Sequence, residues 1–342
     1  MVPWYLYVGF IAFVIAMLLI DLRFFHAEEH EPTPRESSIW VGIWVALALV
    51  FGVIVFFWKG TDSGTEFVAG YLLEYSLSVD NMFVFVLIFT YFQVPFSYQH
   101  QVLFYGILGA MIFRGLFIVA GVSLINTFEW IIYVFGAFLI ITAVRLAIST
   151  QEVHPDENPI LNIAKRRLPT TTRFHGQKLF TIENGKRVAT PLFIVLIFIE
   201  ITDIVFAVDS IPAIFGITDD PFIILTSNVF AILGLRALYF LLADFIDRFH
   251  LLKYGLAIVL AFVGTKMLLE AVHVEIPVQL SLLVIVVVLA STTVLSLLIT
   301  APDADRLEAE EGAGIESFAG GTNDPPNEAS EEDAPEEEKA GG

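Results

Sequence analysis

Two apolar stretches of this chain carry acidic residues at matching spacing. The first is Glu74-Tyr75-Ser76-Leu77-Ser78-Val79-Asp80-Asn81. The second is Asp203-Ile204-Val205-Phe206-Ala207-Val208-Asp209-Ser210, with Glu200 and Thr202 just ahead of it. Each falls where a membrane-spanning helix is most apolar, and a carboxylate at mid-bilayer costs about 3 kcal/mol or more, so placing such groups there twice argues for a built polar site. The candidate ligands are all oxygen donors: Glu74, Asp80, Asn81, Glu200, Asp203 and Asp209, with Ser78, Thr202 and Ser210 in support. Hard oxygen donors suit manganese, magnesium or calcium. With no cysteine in the chain and no histidine in either motif, the set argues against a selective zinc or copper site. The same carboxylates are compatible with a proton pathway, and also with a structural role as partners of the intramembrane cations Arg114, Arg236 and Lys266.

Geometry limits how these groups can act. Residues six apart on a straight helix point about 120° apart and lie about 9 Å apart along the axis, so Glu74 and Asp80 cannot chelate one ion from an undistorted helix. Residues seven apart nearly coincide, which sets Glu74, Ser78 and Asn81 on one stripe and Asp203 and Ser210 on another. Either two helices share their carboxylates or the backbone opens. Pro212, three residues after Asp209, removes a helical hydrogen bond and marks the second motif as a candidate broken helix.

The elements that must hold these groups follow from composition. Of 342 residues, 56% are hydrophobic and 16% charged, so the expected fold class is an all-α, polytopic membrane protein. Nine apolar segments reach spanning length, near residues 3–21, 37–58, 66–91, 101–124, 128–148, 190–215, 221–243, 251–271 and 277–300, with Pro95, Pro221 and Pro277 in the connections. The first segment has no basic residues ahead of it and no small-x-small cleavage site, and reads as a retained span. The connection from Thr150 to Ala189 carries Lys165, Arg166, Arg167, Arg173, Lys178, Lys186 and Arg187, which places it in the cytoplasm. Alternation then puts Arg23, Arg35, Arg248, Lys253 and the C-terminus inside, and the N-terminus outside. Trp4, Tyr5, Tyr7, Trp40 and Trp58 fit interfacial belts.

The acidic motifs belong to a longer internal repeat. Asp203 and Asp209 stand 129 positions after Glu74 and Asp80, Arg236 answers Arg114, and Tyr254 and Lys266 stand 121 positions after Tyr133 and Arg145. Spans three to five thus resemble spans six to eight. A unit with an odd number of spans enters the membrane from alternate sides, giving an inverted repeat, an architecture of secondary transporters. The expected organisation is two N-terminal helices (1–64), repeat 1 (65–149), a cytoplasmic basic loop (150–189), repeat 2 (190–272), a last span (273–300) and an acidic tail (301–342).

The net charge of −19 is concentrated in that tail, where fourteen acidic residues face only Arg306 and Lys339. The tail has almost no large apolar residues and reads as disordered and solvating. His26-Ala27-Glu28-Glu29-His30-Glu31 spaces two histidines four apart, but Pro32 and Pro34 follow and it reads as a solvated connector. Phe83, Phe85 and Phe89 need only packing to explain them.

The stretches Glu74-x-x-Leu77-Ser78-Val79-Asp80-Asn81 and Phe198-Ile199-Glu200-x-Thr202-Asp203-Ile204-Val205-Phe206-Ala207-Val208-Asp209-Ser210-Ile211-Pro212-Ala213 resemble the two signatures of the TerC family of integral membrane proteins. The resemblance covers about residues 1–300, including the connector from Asp21 to Glu31, and leaves out the tail. TerC proteins are associated with tellurium resistance, manganese efflux, pH-responsive metal homeostasis and metal supply to exported enzymes. They are grouped with LysE-type exporters built from inverted three-helix repeats. The resemblance implies that Glu74, Asp80, Asn81, Glu200, Asp203 and Asp209 form the cation site. It leaves the ion open.

The expected function is export of a divalent metal cation, manganese first, in exchange for protons. Such a protein is not an enzyme and has no resident cofactor, Mn2+ being cargo. Its partners are the bilayer and the cation, with no nucleic acid and an open oligomeric state. The alternative is a non-transporting membrane scaffold or stress-response factor linked to tellurium resistance. An intramembrane aspartyl protease is disfavoured, because neither aspartate follows a Gly-x-Gly pattern.

Overall fold

A chain this apolar has to satisfy its backbone hydrogen bonds internally, and helices do so within one segment. The computed structural model describes residues 2–25, 33–128, 130–148, 169–171, 173–183, 185–243, 249, 251–271, 274 and 276–299. The connector from His26 to Glu31, the run Lys165 to Arg167, Arg248 and the acidic tail lie outside the described residues. Helices α1 (Trp4–Phe25), α2 (Pro34–Lys59), α3 (Thr61–Tyr91), α4 (Phe96–Thr127) and α5 (Ile131–Ile148) come first. A short antiparallel hairpin, β1 (Phe180–Glu183) and β2 (Lys186–Ala189), separates them from α6 (Pro191–Phe215), α7 (Pro221–Leu233), α8 (Leu235–Leu242), α9 (Leu252–Ala271) and α10 (Val278–Leu298). Apart from this hairpin and a single bridge between Thr170 and Ala189, the regular structure of the described residues is helical, as expected. The hairpin's signal was present in the sequence as Asn184-Gly185 between two apolar-polar runs.

Local chemistry sets the helix ends. Thr33 and Glu36 form a capping box at the start of α2, and the Asp220 carboxylate accepts from the amides of Phe222 at 2.9 Å and Ile223 at 3.4 Å at the start of α7. Pro34, Pro191 and Pro221 each occupy a first turn, where the missing N–H costs nothing. Gly60 alone joins α2 to α3, at φ +99°, a conformation that a side chain would strain.

Seven helices, α2, α3, α4, α5, α6, α9 and α10, are each long and apolar enough to cross a membrane. The pair α7 and α8 reaches that length only together, bent by 41° at Gly234. The apolar part of α1, Trp4–Ile20, is shorter. Large apolar side chains point outward in the manner of a lipid-facing surface, among them Phe57, Ile148 and Val119 at 82%, 79% and 70% exposure. The expected break at the second acidic motif does not occur. Helix α6 runs without interruption through Asp209 and Pro212, because this proline has only Ala213, Ile214 and Phe215 beyond it and sits in the last turn. The interruption falls one span later, two residues before Arg236.

The most extensive helix pair is α5 with α9; α3 packs on α7, α4 on α6, and α2 on α3. Gly136 and Gly264 let α5 and α9 approach so closely that a Cβ at Gly264 would stand 2.7 Å from the Gly136 carbonyl oxygen. Phe85 and Phe89 pack into the apolar core around α3, α4 and α6, as packing alone requires.

Candidate functional site

Mid-helix positions on α3, α4, α6 and α7 bring one polar cluster together inside the apolar core. Arg114 of α4 is 1% exposed, and its guanidinium is ion-paired with Glu74 of α3 and with Asp203 of α6. It reaches Asp203 through both edges, Nη2 to Oδ1 at 3.1 Å and Nε to Oδ2 at 3.5 Å. Its Nη1 also donates to Ser210 Oγ at 3.5 Å and to Asn228 Oδ1 at 3.4 Å. The amide of Asn228, on α7, donates in turn to Glu74 Oε2 at 3.1 Å. Glu74 and Asn228 are fully buried. The cluster thus sets one guanidinium between two carboxyl side chains inside the apolar core.

The structure therefore brings together Glu74, Asp203 and Ser210 among the expected residues, with Arg114 between the two acids. Ser78, one turn from Glu74 and fully buried, has a hydroxyl with no hydrogen-bond partner among the described residues. Asp80 and Asn81 are buried on α3 at 9% and 8% exposure. The remaining expected residues lie elsewhere. Asp209 accepts a hydrogen bond from Thr142 of α5 at 3.1 Å, on a different face of α6 from Asp203, as six-residue spacing dictates. Glu200 packs against Gly109 of α4, where any side chain would overlap its carboxylate, and its Oε2 is buried without a hydrogen-bond partner among the described residues. The Thr202 hydroxyl donates to the Phe198 carbonyl of its own helix at 2.7 Å, as threonines on helices commonly do. Arg236 is 2% exposed and, with Asp203, lines a cavity of about 20 Å³, room for roughly one water.

Lys266 does not join the acidic motifs. It lies near the C-terminal end of α9, where it pairs with Glu270 at 3.3 Å and donates to the Gly216 carbonyl at 3.0 Å. Around it opens a cavity of about 1100 Å³ with Asp62, Glu66, Thr218 and Asp219 in its walls. Thr218 donates to Glu66 at 2.6 Å there. Burial pushes the Asp219 carboxyl, in the connection after α6, above its ordinary value of 3.8, against the pull of Lys266. An acid with a raised folded pKa holds its proton more tightly when folded, so its penalty is absent below the unfolded pKa and complete above the folded one. Asp219→Asn is thus expected to raise the melting temperature at about pH 8 and to match the parent below about pH 4. Melting curves across that range check this, and a constant difference would contradict it.

Two contributors escaped sequence reasoning. Asn228 sits in the run Thr226-Ser227-Asn228, each 0% exposed, and polar residues inside a span were the available signal. Thr142 is an isolated threonine in an apolar helix and gave none.

Chemically, the cluster offers carboxylate, hydroxyl and amide oxygens, the donor set of a hard divalent cation. As placed, no three acidic or histidine side chains among the described residues stand together to hold a metal ion. The guanidinium stands between the two carboxylates.

The family model described as integral membrane protein TerC family matches residues 59–304. The chain is 50% identical over 294 residues to an uncharacterized membrane protein of Myxococcus xanthus, covering 86% of this chain and 92% of that one. Relatives from Photorhabdus laumondii and Escherichia coli carry the provisional name membrane-bound redox modulator Alx. Both are 43% identical, over 84% of this chain and 93% and 92% of theirs. No solved structure matches the chain. With most of its helices inside the matched region, and with both acidic motifs among them, this chain belongs to the TerC family of integral membrane proteins.

Proposed function

We propose that this chain is a transporter that exports a divalent metal cation, manganese first among the hard cations its oxygen donors suit, through the cluster formed by Glu74, Asp203, Ser210 and Asn228. The observation that carries this reading is the convergence of Glu74 and Asp203, from two separate acidic motifs, on one buried point. Asp80, Asn81, Glu200 and Asp209, outside this cluster on the helices of Glu74 and Asp203, are the further candidate groups. The helix pairs support an inverted repeat. If α3, α4 and α5 correspond to α6, the bent α7 and α8, and α9, then α5–α9 is a pairing of equivalents, and α4–α6 exchanges with α3–α7. The bent span beside the cluster is a further feature of transporter sites. In the plasma membrane, with the N-terminus outside, the 1100 Å³ cavity faces the exterior.

The competing reading is a scaffold in which the acids only hold helices together, and the pairing of Arg114 with both of them favours it. A redox-modulating role, the name given to relatives, has no thiol to act through here, since the chain lacks cysteine. Moving a redox-active metal is one route that remains. Purified protein in liposomes decides between transport and scaffold. Mn2+ should enter liposomes holding the wild-type chain, and Asp203→Asn should lower the flux by about 100-fold, since even outer-shell changes cost 10–100-fold in metal affinity. Mn2+ should also raise the melting temperature of the wild type, because a ligand bound only by the folded state stabilises it. Absence of Mn2+ flux together with absence of stabilisation would leave the scaffold reading standing.

A further inference from the structure

A cation site inside a bilayer has to distinguish its cargo from sodium and potassium, which are far more abundant than any transition metal. Oxygen donors alone do this poorly, since hard monovalent ions accept the same ligands. What separates the ions is charge. In this chain the two carboxylates of the cluster are already engaged by the guanidinium of Arg114. Any incoming ion must replace that guanidinium.

We infer that Arg114 is a valence-selecting residue: a resident monovalent cation, tethered between Glu74 and Asp203, that a divalent ion can displace and a monovalent ion cannot. This rests on the transport reading given above. A sodium or potassium ion brings the same single charge as the guanidinium, so it gains nothing in attraction to the two carboxylates. Seating it would break the hydrogen bonds that run from Arg114 to Asp203, with no added charge to offset their loss. A divalent ion doubles the attraction to both carboxylates in a medium that screens it weakly. Repulsion of the wrong ligand by a fixed group is a general route to specificity.

The surroundings give the displaced guanidinium a place to stay. Ser210 and Asn228 are neutral acceptors that already hold Nη1, so they can retain Arg114 while Glu74 and Asp203 turn to the cation. Asn228 is the pivot of this exchange, because its amide donates to Glu74 while its carbonyl accepts from Arg114. Two other ionisable groups border the cluster and must share the adjustment. Glu200 lies one helical turn before Asp203 on α6, and Arg236 lines the small cavity beside Asp203.

The test measures binding of MnCl2 by thermal shift and by flux into liposomes, in sodium chloride and in choline chloride at equal ionic strength. For the wild type the apparent Mn2+ affinity should differ by less than about twofold between the two salts, whereas in Arg114→Gln sodium should weaken it by about tenfold or more. Arg114→Lys keeps a monovalent charge at the site and should stay insensitive to sodium. If Arg114→Gln fails to fold, Mn2+ binding by the wild type in the two salts still tests the inference, because sodium competition there overturns it. Sodium that competes with Mn2+ in the wild type, or an Arg114→Gln protein as insensitive as its parent, overturns the inference. A wild type that neither binds nor moves Mn2+ in either salt instead overturns the transport reading beneath it.

Discussion

Arg114→Met is expected to lower the stability of the folded chain by about 3–5 kcal/mol, the cost of removing one partner from a buried ion pair. Arg114 is 1% exposed and supplies the positive charge between Glu74, at 0%, and Asp203, at 4%. Without it, two carboxylates remain uncompensated in a medium that stabilises charge weakly. The loss belongs to the orphaned acids more than to the missing contact, and this makes a sharper expectation. The triple variant Arg114→Met, Glu74→Gln, Asp203→Asn carries no charge at this point and should regain most of the stability, since buried ion pairs are often replaceable by neutral groups of similar size. Melting temperatures in detergent separate the cases. A single variant as stable as the parent would mean that the ion pair contributes nothing, and a triple variant as unstable as the single would point to lost shape in place of lost charge.

Gly264→Leu should be the next most damaging change. Helices α5 and α9 form the most extensive pair in the fold, and their backbones meet at Gly136 and Gly264. A Cβ at Gly264 would sit 2.7 Å from the Gly136 carbonyl oxygen and 3.0 Å from Leu139 Cβ, so even alanine must push a backbone group aside. Overpacking typically costs about 1–3 kcal/mol, and a leucine against a rigid carbonyl belongs at the upper end or beyond. Gly115, on α4, is the control. A Cβ there meets nothing within 4 Å, so Gly115→Ala should be neutral or stabilise by about 0.5–1 kcal/mol. An equal loss at Gly115 would show that the cost does not come from the helix crossing, because replacing a helical glycine otherwise raises helix propensity.

Much of this architecture was legible in the chain because membrane helices announce themselves by length and apolarity. The prolines marked helix starts faithfully: Pro34, Pro191 and Pro221 lie in first turns, and Pro95 and Pro277 stand as caps. Pro212 misled, because a proline breaks a helix only where enough helix follows it to be redirected. Gly234 gave no such warning, and there the span bends by 41°. Lys266 looked equivalent to Arg114 and Arg236 as a charge within an apolar segment. Its place near the end of α9 lets it reach Glu270 and the Gly216 carbonyl instead.

The sequence by itself determined that the chain lives in a membrane, that its donors are oxygen and not sulfur or imidazole, and that no single straight helix could gather them. The last point follows from helical periodicity, which sets the direction of each side chain about its own axis. Only the tertiary structure decided which directions face one another. Glu74 and Asp203 meet across Arg114 while Asp209 turns to Thr142 on α5, although both aspartates lie on one helix six residues apart. Asn228 enters the cluster from a span whose polar run carried no acid. Those choices depend on how the helices rotate and cross, and these are set by close contacts between small residues such as Gly109, Gly136 and Gly264, whose partners lie far away in sequence. Periodicity is local and crossing is not, so the chain spelled out its ligands and left their meeting point to the fold.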